Sequence, residues 1–110
     1  MTEFEIAWLA GLLEGEGSFI LYSWKGRPKY HCPRIQLTMT DKDVIEKVSN
    51  LLSTTLYGPY KYGVSKKETY QIQVNGKAAI PILEKILPYM GERRSIKIKG
   101  LLTYKDTYAD

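Results

Sequence analysis

The stretch WLAGLLEGEG, residues 8–17, is the part of the chain that best predicts the fold. On a helix, the apolar residues of this region form two stripes on opposite sides: Ile6, Leu9, Ala10 and Leu13 lie on one, and Trp8, Gly11, Leu12 and Gly15 lie on the other. The core of a single domain covers one such stripe, so the second is expected to pack against a different partner. The apolar run 6–13 is far shorter than the ~20 residues that a bilayer-spanning helix needs.

Glycines and carboxylates are concentrated at the end of this predicted helix. Gly11 and Gly15 each cost a helix about 1 kcal/mol relative to alanine, so a packing reason is expected, such as the close approach of another helix. Glu14 and Glu16 follow where the helix dipole disfavours negative charge. We therefore expect a positive group nearby.

Residues 9–17, LAGLLEGEG, resemble the signature of the LAGLIDADG homing endonucleases, with glutamate at both acidic positions. An aromatic residue precedes the motif and a strand-like segment, 18–22, follows it. Nine ordered positions are much harder to meet by chance than a short glycine motif. The resemblance implies an αββαββα core and cleavage of specific DNA sites.

Composition fits a single globular domain spanning residues 1–110. The net charge of +4 favours an anionic partner. Cys32 is the single cysteine, which excludes an internal disulfide and a zinc–thiolate cluster. With neither a signal peptide nor a spanning segment in the sequence, we expect a soluble intracellular protein in the cytoplasm or an organelle matrix, without a membrane partner. The resemblance implies that it is associated with DNA.

Hydrophobic spacing predicts the order helix, two strands, helix, two strands, helix, helix. Thr2 and Glu5 form a capping box for the first helix, and Thr40 is predicted to cap the second. The strands are predicted at 18–24, 30–39, 57–64 and 69–74, and the last helix at 92–104. The predicted class is α+β: a four-stranded antiparallel sheet with the helices on one face and an extra C-terminal helix.

Three charged residues are candidates for catalysis. Glu16 offers the hard oxygen ligand that Mg²⁺ prefers, and the resemblance implies that this second acidic position of the motif binds a divalent cation. The resemblance also implies that Asp41 lies beside the metal or its water and Arg93 near the scissile phosphate, with Arg94 an equal candidate by a one-residue shift. A solvated helix end, a first-turn acid and a surface cation are the plain alternatives.

The second apolar stripe is a candidate dimer interface. One motif supplies one acid, whereas cutting two strands needs two sites. A two-fold contact through Trp8, Gly11, Leu12 and Gly15 would bring two copies of Glu16 together. The alternative is that the glycines pack against the chain's own core.

The polar face of the sheet is the candidate DNA surface, since antiparallel strands fit the major groove. It is predicted to contain Ser18, Ile20, Tyr22, Trp24, Cys32, Arg34, Gln36, Thr38, Thr69, Gln71 and Gln73. An ordinary solvated sheet face is the alternative.

The resemblance therefore implies a homodimeric, Mg²⁺-dependent endonuclease acting on double-stranded DNA with a long pseudo-palindromic site. Two other functions stay open. One is a non-cleaving protein on the same fold, either a DNA-binding regulator or a maturase that binds intron RNA, and the other is a dimerisation module without a nucleic-acid role.

Overall fold

A computed structural model describes residues 1–24, 27–64 and 67–104, and within them the side chains of Trp24, 27–30 and Tyr62 are not covered. The main elements are α1 (Glu3–Glu16), β1 (Gly17–Trp24), β2 (Arg27–Met39), α2 (Lys42–Leu52), β3 (Tyr57–Tyr62), β4 (Lys67–Asn75), α3 (Ala79–Ile86) and α4 (Glu92–Leu102). Short 3₁₀ turns flank α3. The predicted element order is confirmed, including the extra C-terminal helix.

The four strands form one antiparallel sheet in the order β1-β2-β4-β3. Alternate strand residues such as Phe19, Ile35 and Ile72 are buried in one cluster with Leu9 and Leu13 of α1. All four helices contribute to that cluster, so the helices cover one face and leave the other open. Within the described residues, none of the helices combines the length and apolar character needed to cross a bilayer.

The two first helices begin differently. Thr2 donates its N–H to Glu5 Oε1 at 2.7 Å, and the Glu5 N–H donates to Thr2 Oγ1 at 3.1 Å, so the predicted capping box is confirmed. The predicted Thr40 cap is wrong by one residue. Asp41 is the cap of α2, because its carbonyl accepts the first helical hydrogen bond, from Ile45 at 3.1 Å.

Strand β3 departs from simple alternation. Tyr57 pairs with Gln71 and Tyr60 with Thr69, so the register shifts between them. Gly58 lies at φ 116°, and a Cβ there would meet the Thr69 carbonyl oxygen at 2.7 Å. A glycine is therefore needed at this position, and the register shift means that simple alternation does not describe β3.

Candidate active site and nucleic-acid interface

Glu16 is the last residue of α1, at the junction with β1. The next residue, Gly17, caps the helix by donating its N–H to the Leu13 carbonyl, and a Cβ on Gly17 would lie 2.8 Å from Leu13. Glycine thus permits an immediate passage from helix to strand. Glu16 is exposed and, across the described parts of the chain, its carboxylate has no hydrogen bond or ion pair. It is available to a ligand.

Asp41 lines the same surface recess as Glu16 although 25 positions separate them in the sequence. The two carboxylates line one surface recess, together with Thr38, Met39, Thr40 and Thr69. Carboxylates and hydroxyls are hard oxygen donors of the type that Mg²⁺ binds. No group of three or more His, Cys, Asp or Glu suited to a metal occurs among the described residues. For a cation bound in this recess, one chain offers the two carboxylates of Glu16 and Asp41. The remaining ligands would be water, phosphate or groups of a second chain.

Arg94 is the positive group expected near the end of α1. Its Nη1 donates to the Gly17 carbonyl at 2.7 Å, and its Nε lies 3.5 Å from Glu14 Oε2. The guanidinium carbon is also 5.5 Å from the Phe19 ring centroid. Glu14 in turn accepts a hydrogen bond from the Gly91 N–H. These contacts tie the beginning of α4 to the end of α1.

Arg93 is exposed whereas Arg94 is half-buried, and both line a second recess together with Ser18, Phe19, Ile96 and Lys97. Ser18 is two residues beyond Glu16 in the chain. The structure thus brings Glu16 and Asp41 into one recess and places Arg93 in a separate one. Because Arg94 is engaged in structural contacts, Arg93 is the better candidate for a cation that meets phosphate.

The predicted DNA-facing residues form rows across the sheet. Ser18, Gln36 and Gln73 make one row, Ile20, Arg34 and Asn75 a second, and Thr38, Gln71 and Tyr57 a third. Asn75 and Tyr57 were missed from the sequence. The alternation of Gln71 and Gln73 extends to Asn75, so that signal was present, whereas the register of Tyr57 depended on the irregular β3.

Cys32 alternates with Arg34 and Gln36 along β2, as expected for the face away from the helices, but its side chain is fully buried rather than exposed. A free thiol behaves as a small apolar group, and its cross-strand partner is the much larger Tyr22. The side chain of Trp24 lies outside the described part of the chain.

Comparison with known proteins identifies the family. Residues 3–87 match the family described as the LAGLIDADG-like domain. The chain belongs to the LAGLIDADG family. A search of the curated proteins finds no significant match.

Solved homing endonuclease structures share the fold. The homing endonuclease I-CvuI, in complex with its target in the presence of calcium, superposes with a TM-score of 0.73 at 19% identity, covering 98% of this chain and 69% of that one. The archaeal intron-encoded I-Vdi141I, complexed with DNA, gives 0.64 at 19% identity, covering 94% and 66%. The group I intron-encoded I-CeuI, also complexed with DNA, gives 0.67 at 16% identity, covering 96% and 57%.

The outer stripe of the LAGLIDADG helix α1 is open. Gly11 and Gly15 are exposed, and a Cβ on either would meet nothing within 4 Å. The alternative that these glycines pack against the chain's own core is therefore wrong. Trp8 and Leu12 are half-buried and pack partly on the core, with Lys47 Nζ 4.1 Å from the Trp8 ring centroid.

Proposed function

We propose that this protein is a homodimeric, site-specific endonuclease that cleaves both strands of duplex DNA and requires a divalent cation. The observation that carries the proposal is the shared recess of Glu16 and Asp41, which opens at the end of a helix with an uncovered glycine stripe. The alternative for Glu16 is an ordinary solvated carboxylate at a helix end. That alternative does not explain why a second carboxylate and three threonines line the same recess.

The two carboxylates of the recess and the neighbouring Arg93 have different parts in phosphodiester hydrolysis. Glu16 and Asp41 would hold the cation, which when bound supplies a Lewis acid and lowers the pKa of bound water. Arg93 stabilises negative charge that builds on the phosphate. It does not act as a base, because a guanidinium stays protonated.

Dimerisation supplies the second active site. The exposed stripe of Gly11 and Gly15 ends next to Glu16. A two-fold contact along this stripe lets two helix backbones approach closely and places the two Glu16 carboxylates beside one axis. A symmetric protein of this kind reads a pseudo-palindromic site, one half per subunit.

The open sheet face supports DNA recognition. Its rows carry arginine, glutamine and threonine, whose side chains read base edges, while the net charge of +4 favours phosphate. Affinity should come largely from phosphate contacts and fall with salt, whereas sequence preference should come from the rows.

The test is Glu16→Gln, compared with wild type on a library of random duplexes with Mg²⁺. The variant should fold and bind DNA like wild type but lose cleavage, because an amide is a much weaker ligand for Mg²⁺ than a carboxylate. Glu84→Gln, an exposed glutamate on α3, is the matched control and should cleave normally. Cleavage by Glu16→Gln would overturn the assignment, and binding without cleavage by wild type would indicate a regulator or maturase instead.

A further inference from the structure

Arg34 lies on the open sheet face between two neighbouring strands. It lies on β2, an inner strand of the sheet, directly opposite Ile20 on β1 and Asn75 on β4. Strands on both sides therefore flank this side chain.

Two contacts hold the guanidinium of Arg34. Its Nε donates to Asn75 Oδ1 at 2.6 Å. Its central carbon lies 3.9 Å from the centroid of the Tyr22 ring, within the range of a cation–π contact. In the described part of the chain, no hydrogen bond engages the two terminal amino groups. Asn75 and Tyr22 thus fix the plane of the guanidinium group, the fork of Arg34, and leave its Nη1 and Nη2 donors free.

We propose that Arg34 reads a guanine through the major groove, in a geometry already set by Asn75 and Tyr22 before DNA binds. The proposal rests on the proposed function, since it concerns the same DNA surface. Guanine alone presents two neighbouring acceptors, O6 and N7, on its major-groove edge. The free fork of Arg34 offers only donors, so adenine and cytosine would face it with an amino group.

The preset geometry has a consequence for recognition. A long arginine side chain normally loses rotamer freedom when it binds, and the two contacts remove much of that freedom beforehand. In a symmetric dimer the two copies of Arg34 would select two guanines, one on each strand, related by the two-fold axis.

The experiment selects bound duplexes from a randomised library in Mg²⁺-free buffer and compares wild type with two variants. Arg34→Lys keeps the charge but not the paired donors, and it should reduce the preference for guanine at one position of each half-site by roughly tenfold or more. Asn75→Ala should reduce the same preference partially, because the fork is then held only by Tyr22. Asn50→Ala, an exposed asparagine on α2, is the matched control and should leave the profile unchanged.

The outcomes separate the two proposals. If wild type binds no duplex, the proposed function fails and this inference fails with it. If Arg34→Lys binds with the same guanine preference, the inference is overturned and the proposed function stands. A uniform loss of affinity for all sequences would make Arg34 a phosphate contact, which also overturns the inference. Thermal unfolding of each variant verifies that it is folded.

Discussion

Replacing Arg94 by methionine should destabilise the protein although the neighbouring Arg93 tolerates the same change. Methionine keeps an apolar stem near Phe19 but removes the hydrogen bond to the Gly17 carbonyl and the ion pair with Glu14. A hydrogen bond from a charged group contributes about 1.5–3 kcal/mol. The Glu14 side chain is 37% exposed, so solvent screening limits the ion pair to about 1 kcal/mol at most.

These terms give a loss of about 2–4 kcal/mol in the free energy of unfolding. For a domain of this size the melting temperature should fall by roughly 10–20 °C. Thermal and urea unfolding of wild type and both variants, at one protein concentration and without metal or DNA, measure the effect.

The control is Arg93→Met, at a side chain that is exposed. It should change stability by less than about 0.5 kcal/mol, while it lowers cleavage because the phosphate loses its cation. A melting temperature of Arg94→Met equal to that of wild type would refute the structural role of Arg94. Greater destabilisation by Arg93→Met than by Arg94→Met would reverse the two assignments.

Three further predictions address assembly, metal and pH. Gly11→Leu should give a folded monomer, since a Cβ there meets nothing within 4 Å in its own chain, and a dimer mass in sedimentation equilibrium would contradict the proposed interface. Asp41→Asn should raise the Mg²⁺ concentration for half-maximal cleavage about tenfold or more, in line with loss of a ligating carboxylate, and an unchanged titration would remove Asp41 from the site. The pKa of Glu5 lies below its ordinary value of 4.5, chiefly because its carboxylate accepts the Thr2 N–H. Its stabilising effect is therefore present above the unfolded pKa and lost as pH falls through the folded pKa, so Glu5→Gln should be less stable than wild type near neutral pH and match it in acid; a constant difference across pH would contradict this.

Local sequence signals predicted most of the fold. The Thr2 and Glu5 capping box, the two-stripe helix and the alternating strands each depend on neighbours within a few positions, and each lies where it was predicted. The polar face of the sheet was predicted in the same way, because residues such as Gln71 and Gln73 alternate with buried residues along β4. The cap of α2 was missed by one residue, since Thr40 and Asp41 are both suited to that position.

Contacts between distant segments were beyond sequence reasoning. Arg93 and Arg94 are chemically identical, and only the packing of α4 against α1 decides which one is held by Glu14. The burial of Cys32 depends on its surroundings in the sheet, which alternation along β2 does not reveal. The recess shared by Glu16 and Asp41 likewise follows from how α1, β2 and α2 meet.

The ties between the end of α1 and the start of α4 join residues 77 positions apart. All four strands are complete at Asn75, so a growing chain can assemble its sheet while Glu14 still lacks Gly91 and Arg94. The order of synthesis therefore delays anchoring of the acidic end of the first helix until the last helix has left the ribosome. A nascent chain can therefore contain all four strands before the contacts that hold Glu14 are available.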